Sequence, residues 1–452
     1  MDTFFPEKTV AVVGLGKIGL PLAAHYAEHG WTVIGCDINS AVVDIINRGG
    51  CHVDEESDLA ERIAKIHAQG KISATTDLVS AAQKANVVVV IVPVIVHEDH
   101  SIAFESIDSA THLIGKGLQK NTLVVYETTL PVGTTSKRFR AILEEESHLS
   151  AETDFYLGYS PERVSSGHIE RDLNKYPKVV GGINQRSKAA VEAFYGSVID
   201  ADLIVMESAD EAEFVKLIET TYRDVNIALA NEYAQFADAH GLRAVPSIAA
   251  ANTQPYSHIH IPGVGVGGHC IPVYPYFLMY GDSEGLSLPR RSRVVNDDMS
   301  IYSAQRVSRV IGDLHGKKTL ILGVAYRGDV KETAFTSAKL LREAFMQAGS
   351  EVFAQDPLFT DEELLARGYT PFDSNQASSI DAIVIQAAHS EYNNFDFSQF
   401  VNCKVVLDGR ASDRPERFAE LGIKYITIGD GYTECVSSLS SALARNLSSL
   451  LP

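Results

Sequence analysis

Residues 8–37 read KTVAVVGLGKIGLPLAAHYAEHGWTVIGCD, and the order of residue types in this stretch decides the fold. Lys8–Val13 is a short apolar run suited to a strand buried on both faces. Gly14-Leu15-Gly16-Lys17-Ile18-Gly19 follows at once, then the helix-like LPLAAHYAEHG, then a second strand over Trp31–Cys36 that ends at Asp37. Strand, G-x-G-x-x-G, helix, strand and acid, with the acid about 20 residues on, is the pattern of a dinucleotide site. Its glycines permit a tight turn and let a pyrophosphate approach bare backbone, while the helix N-terminus faces that charge. Asp37 is placed to accept both ribose hydroxyls and would repel a 2′-phosphate, so NAD is expected rather than NADP. A glycine turn serving only to pack a helix leaves Asp37 unexplained.

Working outward, the β/α alternation continues. Val87–Val92 and Leu123–Tyr126 read as further strands, the latter leading into the polar run Glu127–Thr135. Phe155–Tyr159 leads into Ser160-Pro161-Glu162-Arg163-Val164. In open parallel sheets ligands gather where strands end, so Glu162 is a candidate base, with a solvated loop carboxylate as the plainer alternative. From Ser208 and Asp210 to about Gly241, the residues Phe214, Leu217, Ile218, Thr221, Val225, Ala228, Leu229 and Phe236 recur at helical spacing. Lys216 and Thr220 share another face of that helix. A helix this long is expected to be buried over much of its surface, as a dimer spine or an interdomain strut. A second helical run starts at Pro289–Ser300. A second α/β pattern then begins, with strands at Lys318–Leu322, Glu351–Ala354, Ile380–Gln386 and Val405–Leu407 and a helix at Ser337–Ala348. The two ends are therefore doubly wound α/β domains joined by a helical middle.

Composition bounds the partners. The chain has 452 residues, 45% of them hydrophobic and 21% charged, which is the profile of a globular protein with more than one core. A net charge of −19 argues against nucleic acid and anionic membranes. The five cysteines, Cys36, Cys51, Cys270, Cys403 and Cys435, include no C-x-x-C pair, so neither a metal site nor a disulfide framework is expected. No secretory signal is visible, and the apolar run Val87–Val96 is broken by Pro93, so a cytoplasmic protein is expected.

The stretch Ile261–Leu278, IPGVGVGGHCIPVYPYFL, stands apart. So many glycines and prolines exclude a regular helix or strand. Glycines bring backbone N–H groups close to a ligand, and a cysteine at the end of such a loop is a candidate nucleophile. A ligand-free turn with an inert thiol is the alternative.

On Gly14–Gly19, SPERV-x-x-G (Ser160–Gly167) and GVGVGGHCIP (Gly263–Pro272), the chain resembles the UDP-glucose/GDP-mannose dehydrogenases along nearly its whole length. The last two motifs look like the branch that acts on UDP-N-acetylhexosamines. The resemblance implies two Rossmann-like doubly wound domains joined by a central helical domain with a long helix. These are an NAD-binding domain over 1–203, a helical dimerisation domain with the cysteine loop over 204–314, and a UDP-sugar domain over 315–452. It implies oxidation of a sugar C6 alcohol to the carboxylate with two NAD, in a homodimer. By position it assigns Gly14, Leu15, Gly16, Ile18, Gly19, Asp37, Val92, Pro93, Thr129 and Ser166 to NAD. Catalysis falls to Cys270 as nucleophile with Lys216, Glu162, Thr129 and Thr220. The sugar nucleotide falls to Glu162, Arg163, Lys216, Gly263, Gly265, Gly267, Arg327 and Arg410. The chain departs from the family at Tyr274 and Thr220, where aspartate and asparagine are usual, and at Arg327 and Ala334, where lysine and arginine are usual. Val94-Ile95 also replaces Thr-Pro. The alternatives are a dehydrogenase of UDP-glucose or another nucleotide sugar, and a nucleotide-sugar-binding homologue without turnover.

Overall fold

The computed structural model describes residues 4–54, 56–97, 99–164, 169–282 and 285–432. The chain divides into two compact units, Met1–Glu219 with Tyr276–Ser283, and Thr220–Pro275 with Glu284–Pro452.

Among its described residues the first unit has ten strands: β1 (Thr9–Val13), β2 (Thr32–Cys36), β3 (Ile72–Thr75), β4 (Val87–Val90), β5 (Ile95–Val96), β6 (Ile102–Ala103), β7 (Leu123–Tyr126), β8 (Tyr156–Tyr159), β9 (Lys178–Gly182) and β10 (Leu203–Val205). Eight form one sheet in the order β10-β9-β8-β7-β4-β1-β2-β3, while β5 and β6 make a small antiparallel pair. Every neighbouring pair in the large sheet is parallel except β8 and β9. Central strands of such a sheet are covered on both faces and need continuous apolar runs. Accordingly β4, β7 and β8 are buried at every residue. Val10, Val12, Val87, Val89, Leu123 and Val125 lie in one core with Trp31 and Phe194, whose rings meet edge-on at 5.0 Å. The strand order reverses between β1 and β4, which opens a crevice at their C-terminal ends. The expected fourth strand stops at Val90 rather than Val92, because the chain turns towards Pro93, which cannot donate to the ladder.

The second unit carries an all-parallel five-stranded sheet, β12-β11-β13-β14-β15, formed by β11 (Lys318–Leu322), β12 (Glu351–Gln355), β13 (Ala382–Ile385), β14 (Val405–Asp408) and β15 (Lys424–Thr427).

The long helix runs over Ala209–His240, 32 residues, with Asp210 and Glu211 in its first turn, where the helix dipole favours acids. It ends at Gly241, whose φ of 65° lets the Leu242 N–H donate back to the Ala237 carbonyl at 2.8 Å. A single chain covers part of this helix and leaves the rest bare. Leu217, Thr221 and Ala228 are buried, but Phe214, Ile218, Tyr222, Leu229, Tyr233 and Phe236 form an exposed stripe at helical spacing. A second helix of 25 residues covers Ser287–Ile311. Among the described residues no helix is long and apolar enough to cross a membrane.

Candidate active site

At the β1–β4 crevice, Gly14 has a φ of 93° and its N–H donates to the Cys36 carbonyl at 2.8 Å, joining β1 to β2. Gly19 opens the helix Gly19–Glu28 so close to this turn that a Cβ there would lie 1.8 Å from the Gly14 carbonyl oxygen. Gly16 differs: a Cβ on it would meet nothing within 4 Å, so the loop is open where bare backbone would face a pyrophosphate. The helix has no acidic residue in its first turn and no side-chain cap, which leaves N–H groups to face an anion. Asp37 accepts the Leu15 N–H (3.0 Å) and the Asn39 N–H (2.9 Å) on separate oxygens, pinning the glycine loop with lone pairs to spare. The side chain of Leu15 is fully buried and that of Ile18 packs on the core. Val92 is half-buried and Pro93 exposed just past β4, and Thr129 is buried in the loop after β7. The open space at Gly16, the uncapped helix and the spare lone pairs of Asp37 are of the kind a dinucleotide needs. Ser166 lies outside the described residues, as do Gly167 and Cys435.

Glu162 is not a solvated loop carboxylate. One of its oxygens accepts the N–H groups of Arg163 (2.6 Å) and Val164 (2.8 Å), and the other meets the Lys178 ammonium at 3.2 Å. Lys178 opens β9, which the antiparallel β8–β9 pairing sets beside the strand that precedes Glu162. The same ammonium reaches the fully buried Glu127 at 2.6 Å, whose other oxygen accepts the Tyr26 hydroxyl at 2.9 Å. Burial by itself pushes the Glu162 carboxyl up. The Lys178 charge and the two N–H donors outweigh it and hold the group below its ordinary value. Arg163 turns its guanidinium to Glu219 at 3.0 Å.

On the long helix Lys216 is buried, not at the surface where such a lysine is usually found, and Thr220 is buried four residues on. Glu213 lies on the same face and accepts the N–H groups of Gly133 (2.6 Å) and Thr135 (2.9 Å) and the Thr135 hydroxyl (2.7 Å). Burial pushes this carboxyl up to about 7 despite those donors.

In the second unit the glycine loop is held from several sides. The Gly263 N–H donates to Asn231 Oδ1 (3.0 Å), and Asn231 donates in turn to Asn296 (2.9 Å). A Cβ on Gly263 would come within 3.0 Å of the Gly409 carbonyl and 3.6 Å of the Arg410 guanidinium, so the loop and Arg410 meet through absent side chains. Arg410 donates to the Gln386 carbonyl at 2.7 Å, and burial lowers its pKa from the usual arginine range. Gly265 lies against Ser337, and Gly267 lies against Tyr326. Cys270 is a half-buried free thiol, and its carbonyl accepts the Tyr274 N–H at 2.9 Å where the short helix Tyr274–Met279 begins. Neighbouring His269 is paired with Glu332. Arg327 is exposed, with its guanidinium 5.7 Å from the Tyr326 ring. By contrast Cys36 and Cys403 are buried and pushed up to about 12 by that burial, which leaves them inert.

Three family models match in order: the NAD binding domain of the UDP-glucose/GDP-mannose dehydrogenase family over residues 8–199, its central domain over 210–297 and its UDP binding domain over 320–414. The chain belongs to the UDP-glucose/GDP-mannose dehydrogenase family. It is 33% identical over 409 residues to UDP-N-acetyl-D-mannosamine dehydrogenase of Pyrococcus horikoshii, covering 89% of this chain and 95% of that one. It is 31% identical over 420 residues to NDP-N-acetyl-D-galactosaminuronic acid dehydrogenase of Ralstonia solanacearum, covering 91% and 98%. The solved structure of the Pyrococcus horikoshii UDP-D-ManNAc dehydrogenase superposes with a TM-score of 0.83 at 31% identity, covering 94% of this chain and 99% of that one. A member of this family is an NAD-dependent nucleotide-sugar dehydrogenase, and this member keeps the dinucleotide turn, the SPERV glutamate and the cysteine loop.

Four groups of this nucleotide-sugar dehydrogenase escaped the reading of its sequence: Glu127, Lys178, Glu213 and Asn231. The local signals were Glu127, at the head of the polar run after a strand, and Lys178, a charge at the start of the apolar run Val179-Val180-Gly181-Gly182. Among the described residues no cluster of three or more His, Cys, Asp or Glu is set to hold a metal.

Proposed function

We propose that this chain oxidises the C6 hydroxyl of a UDP-N-acetylhexosamine, with the manno epimer first in line, to the uronate in a four-electron reaction. The observation that supports this most strongly is the match to UDP-N-acetyl-D-mannosamine dehydrogenase along nearly the whole of both chains. In this reading Gly14, Gly16, Gly19 and Asp37 hold NAD, with Leu15, Ile18, Val92, Pro93, Thr129 and Ser166 around it. Bound there, NAD accepts one hydride in each of the two oxidations. Lys216, with Thr220 beside it on the helix, stabilises the alkoxide as the proton of the C6 hydroxyl leaves to water; in a dry site such a cation is effective. The Cys270 sulfur adds to the aldehyde carbon, and the carbonyl oxygen takes a proton to give a thiohemiacetal. The second oxidation leaves a thioester on Cys270. Water adds to that carbon and the thiolate departs, so the acid is released and the thiol is restored. Glu162, an ionised carboxylate with its oxygens already engaged, serves to orient that water. Arg163, Gly263, Gly265, Gly267, Arg327 and Arg410 hold the sugar nucleotide, Arg327 and Arg410 meeting its diphosphate in an otherwise acidic protein. The three functional parts are residues 1–203, 204–314 and 315–452.

The test is to count NADH released per sugar with purified protein, NAD and a panel of UDP-sugars. Two per UDP-N-acetylhexosamine, and none from Cys270→Ala beyond the aldehyde stage, supports the reading. One per sugar with free aldehyde means that Tyr274 in place of aspartate has cost the second half-reaction. None, with tight UDP-sugar binding, means a binding protein. A UDP-glucose preference moves the substrate class.

We also infer a homodimer in the cytoplasm, joined through the exposed stripe from Phe214 to Phe236. Light scattering on Tyr222→Arg checks it: an unchanged dimer mass removes that face from the interface.

A further inference from the structure

The cluster beneath Glu162 contains two charged groups that the oxidation itself does not call for. We propose that Lys178, fixed in place by Glu127, is the positioning residue that keeps Glu162 an ionised, correctly aimed acceptor during acid release. This rests on the reading of Glu162 given above.

The geometry is asymmetric in a telling way. Lys178 sits nearer Glu127 (2.6 Å) than Glu162 (3.2 Å), and Glu127 is the fully buried partner. Tyr26 occupies the other oxygen of Glu127, and the Tyr195 ring lies 5.4 Å from the Lys178 nitrogen. Glu127 therefore serves as the anchor and Glu162 as the working end. An ammonium this buried is tolerated only with such partners. The groups facing Glu162 are Lys178, the Arg163 and Val164 N–H donors, Glu127 and Tyr26. Asp172, Tyr176 and Arg163 line the same small cavity, and Asp172 is itself paired with Arg171 at 2.7 Å. Lys178 is the cation that lowers the Glu162 carboxyl. Remove it and burial is left to push that carboxyl up. Remove Glu127 instead and an anion goes, while the cation remains with Glu162.

These opposite signs make the test. The pH profile of kcat for acid formation is measured on the full-length protein with NAD and its UDP-sugar, with NAD affinity by fluorescence as the check of folding. Lys178→Met is expected to lower kcat by about 100-fold and to move the acid limb of the profile to higher pH. Lys178→Arg should recover most of the rate with the limb in place. Glu127→Gln should not raise the limb. If Lys178→Met loses rate with its limb unmoved, or if it and Glu127→Gln shift together, the cluster is packing only and the proposal falls. Should Lys178→Met fail to bind NAD, the limbs of Lys178→Arg and Glu127→Gln decide alone: a raised limb in either overturns it. Glu162→Gln separates the two levels. Wild-type acid formation in that variant sinks the role of Glu162 itself, whereas a slow Glu162→Gln beside an unshifted Lys178→Met sinks only the role of Lys178.

Discussion

The turns after β1 and β11 are built alike and do different things. Gly14 and Gly323 have φ of 93° and 84°, and each donates its N–H across to the end of the next strand at 2.8 Å, to Cys36 and Gln355 respectively. The following residue is aspartate in both. Asp37 accepts the Leu15 N–H at 3.0 Å, and Asp356 accepts the Val324 N–H at 2.7 Å. There the likeness ends. Asp356 is 3% exposed and also accepts from the Ala325 N–H (3.1 Å), the Leu358 N–H (2.9 Å) and His389 Nε2 (3.1 Å). His389 Nδ1 accepts the Asp329 N–H, so the ring proton is on the nitrogen that faces the acid. Two residues after the glycine the first turn has open space at Gly16, while the second has the fully buried Ala325. One acid has valences left for a ligand; the other has spent them on its own fold. An aspartate after a strand marks a ribose site only when nothing internal claims it.

The strongest way to break this comparison is to fill the two glycines that distinguish packing from ligand approach. Gly19→Val drives a side chain into the Gly14 carbonyl and is expected to cost about 4 kcal/mol or more, seen as loss of the folded protein. A Cβ at Gly16 meets no atom within 4 Å, so Gly16→Val should hold its melting temperature while NAD affinity collapses. A stable Gly19→Val, or a Gly16→Val that still binds NAD, would mean that the turn does not work as described.

Next in size is Asp356→Asn. An amide keeps one acceptor and turns an N–H group toward a backbone donor, so a loss of about 3 kcal/mol in stability is expected, with NAD affinity unchanged. The pH dependence follows from the direction of the shift. Burial would raise the Asp356 carboxyl, but His389 and the backbone donors hold it below its ordinary 3.8. A carboxylate depressed in the folded state contributes stability above its unfolded value and loses it as pH falls through the folded one. Denaturation midpoints of the native protein should therefore drop more steeply below about pH 4 than those of Asp356→Asn. Parallel profiles would show that Asp356 is not the satisfied acid.

How much of this was readable in advance depended on distance along the chain. The Gly14–Asp37 site was legible because strand, turn, helix and acid fall within one short unit whose spacing is set by backbone geometry. The buried state of Glu162 was not, since its partner Lys178 lies 16 residues away and arrives only through the one antiparallel pairing of the sheet. His389, 33 residues from Asp356, is hidden for the same reason, so nothing local showed that Asp356 is fully engaged within its own fold. The stripe of the long helix was legible only as an apolar periodicity, which counts residues without saying whether the same chain or a second copy covers them.

The finest probe exchanges the nucleotide and leaves the fold alone. Asp37→Ala removes a charged acceptor of two ribose hydroxyls, worth about 1.5–3 kcal/mol if both bonds form, so the preference for NAD over NADP should fall roughly 10- to 100-fold. Stability should fall by only about 1 kcal/mol, because the exposed Asn39 N–H finds water instead while the buried Leu15 N–H loses its one acceptor in the turn. The side chain beyond it, Ile38, is fully exposed and offers a 2′-phosphate no cation. The preference should therefore be erased rather than reversed, since repulsion is lost and no attraction replaces it. Measuring Kd for both nucleotides separates the cases. An undiminished preference would mean that discrimination lies elsewhere in the crevice and that Asp37, like Asp356, is there to hold its own turn.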